Sequence, residues 1–321
     1  MRILSGMRPT GKLHIGHLAG VLKNWKELQK KHNCFFLIAD IHTLTTKVDT
    51  SLLKENITEM VIDWFISGIS PEKSVIFVQS RVPQHAELHL YFSMLITVAR
   101  LQRNPTLKEQ IRDLGLADKV SYGHLGYPVL QSVDILLYKG EGIPVGEDQV
   151  SHIELTREIA RRFNSLYRKI FPEPKPLLTE FPRMLGTDGK RMQKSLNNAI
   201  FLSDTPESIE KKVKSSYTDP LKIRKTDPGH TEGCAVFNFH RFFNKEKKEE
   251  IEENCKKGFL GCVECKKMAS TKIIESLSPY REARKIYNLT EIKEILEEGN
   301  KKASLVAQET MRHVKESMKM W

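Results

Sequence analysis

The sequence predicts an α/β fold, in which a doubly wound parallel sheet is followed by an all-helical region. Two observations support this prediction. In about the first 80 residues, short apolar runs alternate with segments whose apolar residues recur at helical spacing, the pattern of strands joined by crossover helices. From about residue 203 onward the helical spacing continues with little strand pattern. The chain therefore divides into two regions of different architecture.

The first region shows its elements in order. Its strands are the runs "MRILSG", "CFFLIADIH" and "SVIFVQS", and "HLAGVLKNWKELQKK" and "LLKENITEMVIDWFISG" are the helices between them. Residues 84–120 and 149–170 also have helical patterns, and the prolines of "PEPKP" predict an extended linker after them. Because open parallel sheets bind ligands at the carboxyl ends of their strands, we expect the functional site there.

The helical region begins at the helix-start signal in "SDTPESIEKKVKSSY". It predicts a domain over residues 201–300, after an α/β domain over residues 1–200. The segment "EGNKKASLVAQETMRHVKESM" predicts an amphipathic helix that fills the C-terminal residues 301–321.

Composition limits the functional classes. The 321 residues include 51 basic and 40 acidic side chains, for a net charge of +11. Such a balance is typical of proteins that bind a polyanion such as nucleic acid, although it also occurs in merely basic soluble proteins. No apolar run approaches the roughly 20 residues of a membrane helix. The N-terminus lacks an apolar signal-peptide core, so we expect a cytoplasmic protein that does not contact membranes.

Two loops contain the residue types that phosphate chemistry needs. In "GMRPTGKLHIGHLAG" the glycines follow a strand and precede a helix, so backbone N–H groups and the helix dipole can face a phosphate. His14 and His17 lie three residues apart at the helix start and can point the same way. The loop "GTDGKRMQKSLNN" adds flexible cations. Taken singly, the histidines are more typical of surface or capping residues, and the basic loop is more typical of a solvated surface.

Taken together, the two loops resemble the paired signatures of class I aminoacyl-tRNA synthetases. Residues 14–17 read "HIGH", and residues 191–195 read "RMQKS" where that family has "KMSKS". The resemblance implies a Rossmann-type catalytic domain that transfers the α-phosphate of ATP to a carboxylate with Mg²⁺ and releases pyrophosphate. Arg191 keeps a charge at the first signature position, but arginine and lysine are not equivalent phosphate ligands. Gln193 replaces a serine and removes a hydroxyl.

By this resemblance, several residues are expected to act on ATP. The expected catalytic residues are His14, His17, Lys108, Arg191 and Lys194, with Lys194 as the main cation. The expected ATP-binding residues are Arg8, Pro9, Thr10, Gly16, His17, Gly146, Glu147, Asp148, Arg191, Met192, Gln193, Lys194 and Ser195. Within "PVGEDQ", Gly146 would face the base and Asp148 the ribose hydroxyls.

The segment over residues 127–164 resembles the tryptophanyl-tRNA synthetases. In that family the acidic residue here numbered Asp134 accepts a hydrogen bond from the indole N–H of tryptophan, and an indole nitrogen is a donor only. A buried acceptor left unpaired by the wrong substrate gives strong rejection. The residues expected to surround tryptophan are Leu4, Met7, His42, Tyr127, Gln131, Asp134, Ile143, Val145 and Gln149.

The resemblance also implies partners. Family membership implies a homodimer whose interface includes a helical insertion at about residues 99–165. It implies that the helical domain over 201–300 contacts the anticodon of tRNA(Trp). Residues 211–225 hold six basic side chains and one acidic one, which suits phosphate contacts.

Four cysteines fall within this helical domain: Cys234, Cys255, Cys262 and Cys265. They form a plausible ligand set for tetrahedral Zn²⁺ or for an iron–sulfur cluster. A thioredoxin-like redox pair fits their helical context less well, and unliganded thiols are the remaining alternative. The fifth, Cys34, lies in an apolar strand and is expected to be a buried hydrophobe. A subset of bacterial tryptophanyl-tRNA synthetases has a 4Fe-4S cluster on four cysteines in similar order, so the resemblance favours the cluster over zinc.

The resemblance implies a tryptophan–tRNA ligase, which forms tryptophanyl-adenylate and transfers tryptophan to tRNA(Trp) with release of AMP and pyrophosphate. Three alternatives remain open at the level of sequence. A tyrosyl-tRNA synthetase would activate tyrosine but not tryptophan, and a tRNA-free adenylyltransferase would not charge tRNA. A catalytically inactive RNA-binding paralogue would show neither activity.

Overall fold

The computed structural model describes residues 1–46, 49–113, 115–116, 119–178 and 184–320, and of Ser195 only the backbone. Within these residues, five strands form one parallel sheet in the order β3-β2-β1-β4-β5. The strands are β1 Arg2–Met7, β2 Asn33–Ile38, β3 Ser74–Val78, β4 Gly142–Val145 and β5 Lys175–Leu178. This is the doubly wound fold that the sequence predicts, and its strand order reverses between β1 and β4.

The helices of the first half connect these strands. They are α1 Ile15–His17, α2 Lys23–Leu28, α3 Asp40–Leu44, α4 Leu53–Ile66, α5 Gln84–Ser93, α6 Val98–Gln102, α7 Pro105–Asp113, α8 Tyr122–Leu136 and α9 Val150–Leu166. A π-helical turn, Leu18–Leu22, joins α1 to α2. Such turns are rare and are frequent at functional sites.

The second half of the described chain is helical, as predicted. Its helices are α10 Pro206–Lys214, α11 Ala235–Phe243, α12 Lys248–Lys256, α13 Cys262–Ala283 and α14 Leu289–Ser317. The predicted start signal is confirmed at α10, where the Thr205 side chain caps the helix by accepting the Ser208 N–H, with Pro206 in the first turn. No helix in the described part of the chain is both long enough and apolar enough to cross a membrane.

Alternation along β1 and β2 builds a core on each face of the sheet. Ile3 and Phe36 belong to one buried cluster, and Leu4 and Phe35 belong to the other. Because successive strand residues point to opposite faces, apolar residues at every position bury both faces of a parallel strand. This explains why residues 34–38 of the run "CFFLIADIH" are all apolar and why Cys34 is completely buried.

The structure differs from the sequence expectation at two strands. β4 lies inside the expected helical insertion at about 99–165, so that segment is not wholly helical. β5 begins within the expected linker "PEPKP" and pairs with β4 from Gly142↔Lys175 to Val145↔Leu178. Both strands have four residues with one proline each, and proline weakens the strand signal because it has no N–H to donate.

The C-terminal helix also differs, because α14 begins at Leu289, well before the expected boundary at 301. It packs on β3, where the side chain of Asn300 accepts the Val78 N–H at 2.9 Å. A Cβ atom added to Gly299 would lie 1.8 Å from the carbonyl oxygen of Ile76, so only glycine permits this approach. α14 therefore covers the edge strand of the sheet.

Candidate active site

A cavity of about 420 Å³ opens at the carboxyl ends of β1 and β4, where the strand order reverses. Doubly wound sheets bind their ligands at this point. Its walls come from the ends of these strands, from α3 and α8, and from the π-helical turn with α2. The sequence prediction that the site lies at the strand ends agrees with this position.

Most residues expected to surround tryptophan lie on the cavity wall. The wall includes Leu4, His42, Tyr127, Gln131, Asp134, Ile143, Val145 and Gln149, together with Arg8 and Gly146 from the expected ATP set. Met7 is the one residue of the expected tryptophan set that is not on the described cavity wall. It packs on the core cluster opposite to that of Leu4, because residues three apart on a strand point to opposite faces.

Asp134 is a buried carboxylate held by three side chains. Its Oδ2 lies 2.8 Å from Nε2 of His42, and its Oδ1 lies 2.8 Å from Nδ1 of His85 and accepts the Gln79 amide N–H at 2.7 Å. Burial raises the pKa of Asp134, but the two histidines more than offset this effect and hold the pKa below its usual value. Asp134 is therefore ionised, and Oδ2 keeps one lone pair for a further donor.

Gln79 and His85 were not found from the sequence. Gln79 follows β3, His85 lies on α5, and both are completely buried behind Asp134. His85 also contacts the hydroxyl of Tyr138 at 2.8 Å through its Nε2. These residues belong to no recognised motif. Their contact with Asp134 becomes evident only in the folded structure, where β3, α5 and α8 come together.

The cavity wall contains other residues that the sequence analysis did not assign to the site. They are Ser5, Gly6, Gly20, Val21, Asn24, Trp25, Leu37, Ala39, Thr45, Gln110, Ile135 and Pro144. The sequence assigned Val21 and Trp25 only to the apolar face of a helix. The π-helical turn places Gly20 and Val21 on the cavity wall.

His14 and His17 form one structural unit at the start of α1. Nδ1 of His14 accepts the Gly16 N–H at 3.2 Å, and Nδ1 of His17 accepts the His14 N–H at 3.1 Å. Burial, with the nearby charges of Lys194 and Arg191, lowers the pKa of His14 to about 4. Burial likewise holds the pKa of His17 well below its usual value. Since each Nδ1 accepts, each neutral ring has its proton on Nε2 and can donate it to a phosphate oxygen.

Lys194 reaches back to the segment that precedes His14. Its Nζ donates to the carbonyl oxygen of Gly11 at 2.8 Å and lies 3.5 Å from the Thr10 hydroxyl. Burial lowers the pKa of Lys194 to about 8, and the charge of Asp63 partly opposes that shift. The two loops that contain the signatures, far apart in sequence, are therefore in direct contact.

The loop that contains Lys194 is organised by Asn198. The Asn198 side chain donates to the Asp188 carboxylate at 2.8 Å and to the carbonyl of Arg191 at 3.1 Å, and accepts the Gln193 N–H at 2.8 Å. Met192 is buried, whereas the Gln193 side chain is exposed. The side chain of Ser195 lies outside the described part of the structure.

Among the described residues expected to bind ATP, Arg8 and Gly146 lie on the cavity wall. Arg191 lies 3.7 Å from a carboxylate oxygen of Asp148. The Arg8 guanidinium donates to the Thr46 hydroxyl, while its buried Nε has no hydrogen-bond partner among the described residues. Glu147 and Thr10 are exposed and Pro9 is buried. Lys108 is exposed on α7, two residues before Gln110 of the cavity wall.

The four cysteines lie in or next to three helices. Cys234 precedes α11, Cys255 lies on α12, and Cys262 and Cys265 lie in the first turn of α13. Burial raises the pKa values of Cys234, Cys255 and Cys265, and each of these thiols is affected by the charge of at least one other of the four. In the described residues, however, no group of three or more His, Cys, Asp or Glu side chains is arranged to hold a metal ion. In chemical type, however, four cysteine sulfurs are suitable ligands for an iron–sulfur cluster or for Zn²⁺.

Three kinds of comparison relate this chain to known proteins. A family model described as class I tRNA synthetases (W and Y) matches residues 1–278. A tryptophan–tRNA ligase of Thermotoga maritima is 49% identical over 326 residues, covering 100% of this chain and 99% of that protein. One of Aquifex aeolicus is 45% identical over 394 residues and covers 100% of both. The structure of a Campylobacter jejuni tryptophanyl-tRNA synthetase complexed with ADP and tryptophan has a TM-score of 0.87, at 31% identity over 100% of both chains.

Proposed function

The chain belongs to the class I tRNA synthetases for tryptophan and tyrosine, and from this membership we infer that it is a tryptophan–tRNA ligase. It activates L-tryptophan with Mg·ATP and transfers it to tRNA(Trp). In the first step a carboxylate oxygen of tryptophan attacks the α-phosphorus of ATP, and the bond to the β-phosphate breaks. In the second step a ribose hydroxyl of tRNA attacks the acyl carbon, and AMP leaves.

The observation that carries this function is the buried carboxylate of Asp134 on the cavity wall. An ionised acceptor with one free lone pair suits the indole N–H of tryptophan. The apolar residues Leu4, Ile143 and Val145 would enclose the rest of the ring, with Tyr127 beside it. A substrate without a donor at this point would leave a buried charge unpaired, and such sites discriminate strongly.

The contacts of these residues support the roles that we propose for the ATP-binding residues. The Nε2–H groups of His14 and His17 would donate to phosphate oxygens as charge develops there. Lys194 and Arg191 would hold the leaving pyrophosphate, with Gly146 and Asp148 at the nucleoside. Mg²⁺ would arrive with ATP and neutralise charge on its phosphate oxygens. Catalysis of this kind depends on positioning and electrostatic stabilisation.

Amino-acid-dependent exchange between ATP and labelled pyrophosphate tests the activation step. We expect exchange with tryptophan and none with tyrosine, and aminoacylation of tRNA(Trp) but not of tRNA(Tyr). Exchange with tyrosine alone would identify the tyrosine enzyme instead. Exchange without any aminoacylation would indicate a tRNA-free adenylyltransferase.

We propose that the four cysteines hold a 4Fe-4S cluster that has a structural role in the anticodon-binding domain, with Zn²⁺ as the alternative. Four thiols of a helical domain that influence one another's pKa values support this proposal. A bound cluster would replace the thiol protons, because only thiolates ligate metals. The charge of Lys222 lowers the pKa of Cys255, although burial raises it more. The side chains of Lys222 and Cys255 both lie next to Gly229.

Metal analysis of protein purified without oxygen tests this site. About four irons and four sulfides per chain, lost on Cys262→Ser, would support the cluster. About one zinc per chain would support the alternative. Protein that contains neither iron nor zinc would contradict both the cluster and the zinc alternative. Cys34→Ser is the matched control, because Cys34 is buried in the sheet and its loss should leave the metal content unchanged.

We also propose a homodimer that functions in the cytoplasm. Large exposed apolar side chains on and between α5, α6 and α8, helices that pack on one another, support an interface there. They are Leu90, Met94, Val98 and Tyr122. Light scattering should give twice the chain mass, and the charged substitution Met94→Glu should lower it.

We propose that exposed basic side chains of residues 211–225 contact tRNA phosphates. Lys211, Lys214, Arg224 and Lys225 are exposed. In contrast, Lys212 is paired with Asp204 at 2.6 Å, and buried Lys222 donates to backbone carbonyls. Replacing Lys211 should therefore weaken tRNA binding in a salt-dependent way, without the loss of stability expected for Lys222.

A further inference from the structure

The segment between α10 and α11, residues 215–234, contacts both the nucleotide loop and the four-cysteine site. The nucleotide loop is defined here as residues 186–198, which include Arg191 and Lys194. Along this segment, the residue that contacts the nucleotide loop and the residue that contacts the four-cysteine site are close together in sequence.

The first contact of this segment is made by Tyr217. Its backbone N–H donates to the carbonyl of Thr187 at 2.6 Å. Its ring lies against Gly189, where an added Cβ would be 2.8 Å from ring atom Cδ1. Gly189 has φ +79°, a conformation that favours glycine. The base of the nucleotide loop is thus shaped to accept this aromatic ring.

The Tyr217 contact reaches the catalytic cations through the loop itself. Thr187 donates its N–H to the carbonyl of Asn198 at 2.9 Å. The Asn198 side chain in turn fixes the carbonyl of Arg191 and the N–H of Gln193. A displacement at Thr187 would therefore alter the backbone that presents Lys194.

The second contact lies two residues further along, at Asp219. The Asp219 N–H faces the thiol of Cys234. The Asp219 carboxylate accepts the His230 N–H at 2.7 Å and folds the segment back. Gly229 then donates its N–H to the carbonyl of Cys255 at 3.0 Å. The segment is thereby anchored beside two of the four cysteines.

We propose that Tyr217 is a positioning residue that fixes the base of the nucleotide loop and couples it to the four-cysteine site through Asp219. This inference rests on the proposed function of the loop in ATP binding. Because a single residue, Thr218, separates Tyr217 from Asp219, movement at either end is transmitted over a short, hydrogen-bonded stretch. Ordering of the loop by ATP should then also order the segment beside the cysteines, since coupling between sites is reciprocal.

Two variants and one control test the positioning role by pyrophosphate exchange. Tyr217→Ala removes the ring from Gly189, and we expect KM for ATP to rise about tenfold with KM for tryptophan unchanged. Tyr217→Phe keeps the ring and should restore KM for ATP to within about twofold. Ile223→Ala is the matched control, because Ile223 is a large apolar residue of the same segment that is 87% exposed.

Hydrogen exchange of the amides tests the coupling without a change at any cysteine. In the unaltered full-length protein, ATP with Mg²⁺ and no tryptophan should slow exchange in residues 186–198 and also in 217–234. In Tyr217→Ala, saturating ATP should slow exchange only in 186–198. This readout does not depend on turnover, so a purely structural loss of activity would not reproduce it.

The outcomes separate this proposal from the function on which it rests. An active unaltered protein whose Tyr217→Ala variant keeps the same KM for ATP would overturn the positioning role alone. Equal ATP-dependent protection of 217–234 in both proteins, or none in either, would overturn the coupling. An unaltered protein that shows no tryptophan-dependent exchange would overturn both the proposal and the proposed function.

Discussion

The carboxylate of Asp134 and the imidazole of His42 lie 2.8 Å apart on the wall of the substrate cavity. The contact uses one lone pair of Oδ2, while Gln79 and His85 occupy Oδ1. The carboxylate is therefore held in one orientation before any substrate arrives, with one acceptor position left. Preorganisation of this kind lets a single hydrogen bond act as a specificity determinant.

Asp134→Asn should reduce kcat/KM for tryptophan about 100-fold. The amide keeps the shape of the side chain, but its NH₂ group would face a donor and the charged hydrogen bond to the indole would be lost. A lost hydrogen bond to a charged group is worth about 1.5–3 kcal/mol, which corresponds to this factor. Steady-state pyrophosphate exchange at varied tryptophan measures it.

The KM for ATP of the same variant is the internal control and should stay within about twofold of the unaltered value. Asp204→Asn removes a carboxylate that pairs with Lys212 and is not on the cavity wall, and it should leave KM for tryptophan unchanged. Full activity of Asp134→Asn with tryptophan would show that the indole is not recognised here.

Lys194→Met should lower kcat for tryptophan activation about 100- to 1,000-fold, the usual effect of removing one preorganised donor to a developing charge. The matched control is Lys190→Met, since Lys190 is an exposed lysine of the same loop. Single-turnover formation of adenylate measures the step directly. Comparable losses in the two variants would indicate a general effect of loop charge instead of a role for Lys194.

The rate of activation should decline on the alkaline side of neutrality. Burial lowers the pKa of Lys194 to about 8, so its charge is present below that pH and is lost as the pH rises through 8. His14, with a pKa of about 4, stays neutral above pH 5 and adds no acid limb there. The pH profile of kcat/KM for ATP reports these groups in the free enzyme.

Lys194→Arg provides the control for this profile. The arginine pKa exceeds 12, so the alkaline limb near pH 8 should disappear even if the rate is lower. A limb that persists at the same pH in Lys194→Arg would assign it to a different group.

The sequence predicts the strands whose apolar pattern is long, and it misses the strands that form only because a neighbouring strand is available for pairing. β1, β2 and β3 are apolar runs of five or six residues and were recognised. β4 and β5, with four residues and one proline each, are strands because a neighbouring edge is available to pair with them. Their identity therefore depends on tertiary contacts that no local pattern contains.

The candidate site divides in the same way. The two signature segments were recognised because their chemistry is concentrated in a few consecutive residues. Gln79 and His85 were missed because each is isolated in sequence, and only the packing of α5 and β3 against α8 brings them to Asp134. The assignment of Met7 ignored the alternation of a strand, which places Leu4 and Met7 on opposite faces.

The last prediction concerns a buried ion pair between the two regions of the chain. Arg284, at the end of α13, contacts Glu59 and lies 2.5 Å from the carboxylate of Asp63, which is completely buried on α4. Burial raises the pKa of Asp63 to about 7, although Arg284 opposes the shift. Oδ2 of Asp63 and Nε of Arg284 have no hydrogen-bond partner in the described residues.

Arg284→Met should lower the free energy of unfolding by about 3–5 kcal/mol, because it leaves a carboxylate buried without its counter-charge. Adding Asp63→Leu should recover most of this loss, since an apolar pair often replaces a buried ion pair without cost. Urea denaturation of the three proteins measures both changes. In contrast, Arg81→Met, which removes an exposed partner of Glu297, should change stability by less than about 1 kcal/mol.

The pH dependence of the free energy of unfolding follows from the direction of the pKa shift of Asp63. A carboxyl whose pKa is raised in the folded state holds its proton there while the unfolded chain has released it. Stability from this group is therefore full below about pH 4 and is lost as the pH rises through 7. In Arg284→Met the folded pKa rises further, so the variant should lose more stability between pH 6 and 8 than the unaltered protein does. Equal pH dependence in both proteins would show that Asp63 does not titrate with folding.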